Sequence, residues 1–207
     1  FDERKAGGSL KLGYILGRDL SQSLKYQLKR TEIRNVDETA STLIKEQEGT
    51  NTVSQISQTT VFDKRDNRYE PKDGYVVSLT NELAGLSGDT QHFRTRIKTG
   101  YFVSLFEDKV LAFVAESGHI IGIDQDVNIG ERFFLGGQTV RGFSNSGIGP
   151  RDGITNDALG GNNYYAGSIE LRFPLGLGEE LGINGSVFTD VGSCLLYTSP
   201  SPRDLRK

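Results

Sequence analysis

One segment, GGQTVRGFSNSGIGP at residues 136–150, contains a single cation, Arg141, and a single aromatic residue, Phe143. Three glycines lie around them: Gly136, Gly137 and Gly142. The guanidinium of Arg141 is a planar fork that can donate to two carboxylates at once. Two interpretations remain open. The glycines can be ordinary turn residues beside a solvated arginine, or they can adopt positive φ in a tight reversal that presents Arg141 to a partner.

Glu170 and Asp190 are the candidate partners of Arg141. In SIELRFP the apolar residues alternate with polar ones, so Glu170 shares a face with Ser168 and Arg172. In INGSVFTDVG, Asp190 lies on the polar face by the same alternation. If these segments are neighbouring strands of a barrel, both carboxylates face one lumen, where a single guanidinium can bridge them.

The elements that would position these residues are period-two segments separated by turn residues, which is typical of a transmembrane β-barrel. The fifth, HFRTRIKTGYFVSLF, has apolar and threonine side chains on one face and Arg94, Arg96 and Lys98 on the other. The pattern predicts eight strands: 8–17, 22–34, 52–64, 75–86, 93–105, 109–122, 163–173 and 181–192. A soluble β-sandwich with facing apolar sides also fits this alternation.

The links between the strands differ in length, which favours the barrel. Short links such as YEPKDGY, with Pro71 and Gly74, alternate with long ones. Residues 35–51 form one long link, in which we expect a helical turn, and residues 123–162 form the other. A loop of this length is expected to be functional or packed inside the molecule.

Composition excludes several classes of protein. The net charge of −3 provides no basic field for nucleic acid, and the apolar runs are too short for a membrane helix. A single cysteine, Cys194, excludes an internal disulfide framework. The sequence contains no G-x-S-x-G, H-E-x-x-H or phosphate-binding motif, so we expect neither an enzyme nor a cofactor.

Several motifs occur along the chain in an order that is characteristic of one protein family. VFDKRDNRYEPKDGY, ERFFLGGQTVRGF with GIGPRD, YAGSIELRFP and NGSVFTDVGS follow one another. Together they resemble the C-terminal barrel of BamA-type outer-membrane assembly factors of the surface-antigen superfamily, over most of residues 1–193. The resemblance implies a sixteen-stranded barrel preceded by POTRA domains. We therefore expect this chain to be an incomplete barrel of about eight strands, without the POTRA domains, the first strands and the last two strands.

The resemblance also implies a role for the loop. In that family the VRGF segment, here Val140 to Phe143, lies at the tip of a long loop that folds into the lumen. Its arginine is held by acidic residues on the strands that match Glu170 and Asp190. The expected lock therefore consists of Arg141, Glu170 and Asp190 with the loop residues Gly136, Gly137, Val140, Gly142 and Phe143.

The function implied by the resemblance is folding and insertion of outer-membrane proteins, in the bacterial outer membrane more than in an organellar one. The expected partners are unfolded outer-membrane proteins, accessory lipoproteins and membrane lipids, without nucleic acid. The alternatives are a two-partner secretion transporter with the same loop plugging a pore, and a soluble β-sandwich binding module. Residues 194–207, CLLYTSPSPRDLRK, lack alternation, and we expect them to be an unstructured tail of foreign origin.

Overall fold

The described part of the chain folds as one antiparallel sheet of eight strands in sequence order. The computed structural model describes residues 2–36, 42–45, 48–106, 108–175 and 183–196. The strands are β1 (Asp2–Ile15), β2 (Leu20–Arg34), β3 (Gly49–Asp63), β4 (Gly74–Gly88), β5 (His92–Ser104), β6 (Val110–Gly122), β7 (Asn163–Pro174) and β8 (Asn184–Leu195). Within this described part, β1 and β8 do not pair with each other. The all-β, incomplete barrel predicted from the sequence is thereby confirmed.

Helical structure is confined to two short segments of the described residues, α1 (Thr42–Lys45) and a 3₁₀ turn at Ile129–Glu131. The helical turn predicted within the link 35–51 is confirmed by α1. None of the described helices is long and apolar enough to cross a bilayer.

The two faces of the sheet differ as the alternation predicts. On one face, polar side chains of β1 to β5 line a shared cavity that includes Lys25, Glu82 and Arg96. We call this the inner face. The opposite face exposes large apolar side chains, among them Leu79, Ile97, Tyr101, Phe113 and Ile169. The sheet therefore has a polar concavity behind an apolar surface, as in a membrane barrel wall.

Strand ends depend on the partner strand more than on local pattern. β1 begins at Asp2, six residues before the predicted start, because its charged first residues pair continuously with β2 from Asp2 opposite Arg34. β3 carries a register irregularity between Val53 and Gln55 where it pairs with β4. Gly88 pairs with Val53 there and has a φ of 107°, a conformation that favours glycine.

β8 also extends beyond its predicted end, which corrects the boundary at Ser193. Cys194 and Leu195 continue the ladder opposite Tyr164 and Asn163 of β7. The Cys194 side chain is buried and its thiol donates to the carbonyl oxygen of Phe133 at 3.3 Å. These two residues are ordered because β7 and the long loop provide partners for them. Residues 197–207 of the expected foreign tail lie outside the described residues.

Candidate functional site

The long loop between β6 and β7 has its own backbone structure and packs on the inner face. Single antiparallel bridges join Phe133 to Gly161, Leu135 to Ile148, and Arg151 to Ala158. The loop is therefore folded into a narrow, doubled-back arm. This explains how a connection of this length can belong to a compact structure.

An apolar cluster attaches this arm to the wall. Leu135 and Val140 of the loop are buried against Tyr164, Ala166 and Cys194 of β7 and β8, with Phe133 and Ile148 packed at the edge. The rings of Phe133 and Tyr164 lie 4.6 Å apart. Val140, which the sequence placed in the loop lock, is 2% exposed. It holds the loop by apolar packing directly beside Arg141.

Four inward-facing residues of the sheet form a binding site for the Arg141 side chain. On β7 and β8, Ser168 lies opposite Asp190 and Glu170 lies opposite Phe188. Residues two apart on a strand share a face, so the two pairs stack along the inner face as adjacent rungs. The register of this one strand pair is what brings the two predicted carboxylates together.

Arg141 donates hydrogen bonds to this site from both its backbone N–H and its guanidinium. Its Nε and Nη2 donate to the two oxygens of Asp190 at 2.8 and 2.7 Å, a bidentate pair. Nη1 donates to Glu170 Oε2 at 2.7 Å and Nη2 to Ser168 Oγ at 2.8 Å. The backbone N–H of Arg141 donates to Asp190 Oδ2 at 2.9 Å. The Asp190 side chain is only 4% exposed and that of Arg141 is 32% exposed.

The charge of Arg141 is well compensated. Its guanidinium carbon lies 3.3 Å from the centroid of the Phe188 ring, so the cation stacks on an aromatic face. Hydrogen bonding to Asp190 raises the pKa of Arg141 above its ordinary value, against the opposing effect of desolvation. Arg141 is therefore a permanent cation bound to a buried carboxylate.

The predicted glycines have the conformations that a tight reversal requires. Gly136, Gly137 and Gly142 have φ values of 131°, 59° and 89°, where other residues are strained. A hydrogen bond of 3.0 Å from the Gly137 N–H to the Phe143 carbonyl oxygen closes the reversal. The Phe143 side chain is half-exposed, so its backbone contributes more to the turn than its ring.

The structure adds residues that the sequence did not assign to this site. Ser168 and Phe188 both touch Arg141, and no motif distinguishes them from other strand residues. Arg172, which the alternation placed on the same face as Glu170, donates from Nε to Glu170 Oε1 at 2.8 Å, so it shares that carboxylate with Arg141. Alternation had already placed Ser168 and Arg172 on the face of Glu170, and the same parity places Phe188 on the face of Asp190.

Comparison with known proteins decides the family. The model of the Omp85 superfamily domain matches residues 1–207. The chain belongs to the Omp85 superfamily. Together with the relatives described next, this match confirms the BamA-type resemblance found in the motifs.

Relatives of this Omp85 chain include assembly proteins of bacteria and animals. It is 39% identical to the outer membrane protein assembly factor BamA of Neorickettsia risticii over 90% of this chain and 25% of that protein. It is 35% identical to the sorting and assembly machinery component 50 homologue of Xenopus tropicalis over 90% of this chain and 40% of that protein. The outer-membrane localisation expected from the sequence is confirmed.

The fold of this Omp85 chain also matches a solved structure. The crystal structure of BamA from Haemophilus ducreyi lacking POTRA domains 1–3 superposes with a TM-score of 0.79 at 19% identity. The match covers 93% of this chain and 42% of that one. The chain thus spans between a quarter and about two fifths of the proteins that it resembles.

Proposed function

We propose that the full-length protein containing this chain folds outer-membrane proteins and inserts them into the bilayer. The observation that carries this proposal is the match of 90% of the chain both to a bacterial outer-membrane assembly factor and to a sorting and assembly machinery component. Both relatives are assembly proteins, which favours assembly over polypeptide secretion. The amphipathic wall argues against a soluble sandwich, because its apolar face is exposed and, among the described residues, no second sheet covers it.

The long loop supports this function as a positioned element of the lumen. We propose that Arg141, Asp190 and Glu170 lock the tip of the loop against β7 and β8. Val140 packs beside this lock, and the positive-φ glycines allow the tight turn that brings Arg141 to it. A loop held in this way keeps the inner face ordered while the wall changes its contacts with a substrate. The lock itself carries out no bond-breaking chemistry, and the proposed activity is non-enzymatic and needs no cofactor.

The proposed partners follow from the same activity. Unfolded outer-membrane proteins are the substrates, and membrane lipids contact the apolar outer face of the sheet. Accessory lipoproteins are proposed as further subunits by analogy with the assembly complexes of the family.

Reconstitution tests the proposal. The full-length protein is inserted into lipid vesicles, and an unfolded outer-membrane β-barrel protein is added without nucleotide. We expect the substrate to acquire heat-modifiable mobility and protease resistance faster than in empty vesicles. Equal rates in the two kinds of vesicle, together with passage of an exported partner polypeptide into the vesicle lumen, would instead establish the secretion function.

A further inference from the structure

A second set of buried charges lies at the opposite end of the loop arm, away from Arg141. Arg94 on β5 donates from Nη1 to Glu82 Oε2 of β4 and from Nη2 to Glu131 Oε2, both at 2.9 Å. Nη2 also donates to the Glu131 carbonyl oxygen. Glu131 is the last residue of the 3₁₀ turn, in the first part of the loop that follows β6. Arg94 therefore joins the base of the loop to the wall.

This set is shielded from solvent. The side chains of Arg94, Glu82 and Glu131 are 12%, 9% and 11% exposed. Arg94 also lies over the ring of Phe133, with 5.7 Å between its guanidinium carbon and the ring centroid. Lys29 of β2 approaches Glu131 at 3.5 Å, so strands β2, β4 and β5 and the loop all contribute to one charge cluster. Charges held in this way are costly to leave unpaired.

The loop crosses the wall between the two charge clusters. Phe133 packs on Gly118 of β6, where an added Cβ would lie 2.7 Å from the ring. Further along, Leu135 and Val140 pack on Gly192 of β8, where a Cβ would lie 2.9 Å from each of them. The arm therefore runs from β5 over β6 and β7 to β8, in grooves left by missing side chains.

The two clusters have opposite polarity. At the base the loop supplies the carboxylate of Glu131 and the wall supplies the cation of Arg94. At the tip the loop supplies the cation of Arg141 and the wall supplies the carboxylates of Asp190 and Glu170. A loop shifted along the wall, or laid down in reverse, would bring like charges together in a poorly solvated site.

We propose that Arg94 and Glu131 form a second clamp, which fixes the base of the loop independently of the Arg141 lock and, through its inverted charge, sets the direction of the loop across the wall. Arg94 and Glu131 are positioning residues in this scheme. Glu82 holds Arg94 in place from the neighbouring strand, and its other oxygen, Oε1, accepts a hydrogen bond of 3.1 Å from Arg96.

Chymotrypsin can probe the two ends of the arm separately in membranes that contain the full-length protein. Cleavage after Phe134 reports release of the base, and cleavage after Phe143 reports release of the tip. Cleavage through local opening follows the population of the open form. We expect Glu131→Gln and Arg94→Gln each to raise the rate after Phe134 about tenfold or more, and the rate after Phe143 by less than about threefold.

Arg96→Gln is the matched control, because Arg96 lies on the same strand and face as Arg94 and binds Glu82 but has no hydrogen bond or ion pair with the described residues of the loop. It should change the rate after Phe134 by less than about twofold. The exchange of both charges, Arg94→Glu with Glu131→Arg, should recover part of the protection. Glu131→Gln alters only the loop, so heat-modifiable mobility of the barrel should remain that of the wild type.

Two results would overturn the clamp. One is wild-type cleavage after Phe134 in both Glu131→Gln and Arg94→Gln. The other is an equal rise after Phe134 and Phe143 in every variant, which would show that the arm is released as a single unit. Neither readout depends on assembly activity, so failure of this inference is distinguishable from failure of the proposed function.

Discussion

Replacing Arg141 with glutamate reverses the charge of the loop residue that binds Asp190 and Glu170 on β8 and β7. The substitution removes four side-chain hydrogen bonds and places a carboxylate against Asp190 and Glu170. Loss of one partner of a buried ion pair costs about 3–5 kcal/mol. Because the Arg141 side chain is about one third exposed, we reduce this to about 2–3 kcal/mol.

This free energy acts on docking of the loop before it acts on the barrel. Every 1.4 kcal/mol is a factor of ten, so the population of undocked tip should rise about 30- to 150-fold. The assay is chymotrypsin cleavage after Phe143 in membranes containing the full-length protein, followed by mass spectrometry. We expect the folded amounts of other outer-membrane proteins to fall in the same cells, because the lock is proposed to support assembly.

Companion variants separate charge from geometry. Arg141→Lys should be intermediate, since an ammonium keeps the charge but loses the bidentate fork. Arg141→Glu combined with Asp190→Arg should recover part of the protection. Arg172→Gln is the control: it removes a neighbour of Glu170 without touching the loop, and its effect should be smaller. Wild-type protection in Arg141→Glu would refute the lock and leave the loop held by apolar packing and glycines alone.

Three further predictions concern the loop groove, the sheet edges and one turn. Gly192→Val should raise cleavage of the loop, because its side chain occupies the space of the packed loop residues, whereas Gly8→Val, with open space around it, should not. Residues 1–196, which include all of β8, refolded alone in detergent should give no discrete protease-resistant monomer, because unpaired strand edges are costly in an apolar medium. Hydrogen bonds from backbone N–H groups, chiefly that of Asp73, hold the pKa of Asp66 below its ordinary value. The Asp73 amide should therefore be protected from hydrogen exchange above about pH 4, and this protection should be lost as the pH falls further and Asp66 is protonated.

The alternation of residue types determined much of the sheet. In β5 the polar side chains of Arg94, Arg96 and Lys98 were predicted on one face, and the structure places them along the inner cavity. The same parity placed Glu170 and Asp190 inward before any partner was known. Side-chain period in a strand is fixed by the backbone, so a face can be read from the chain alone once the strand is identified.

The ends of the strands were less well determined. The charged start of β1 has no clear alternation, and Cys194 was assigned to a tail, yet both are paired in the sheet. A strand continues for as long as a neighbour offers backbone donors and acceptors. That neighbour lies far away in sequence, so local residue types do not specify where the ladder stops.

The tertiary structure alone decided how the loop is held. Glu131 and Arg94 are 37 positions apart, and no motif links them. Nothing in the sequence distinguishes Phe188 from the other aromatic residues; the register of β8 places its ring beneath the Arg141 guanidinium. The sequence determined which side chains face inward and supplied the cation at the loop tip. The path of the loop across β6 and β7 determined which of those charges meet, because ion pairs require contact over a few ångströms that only the packed chain provides.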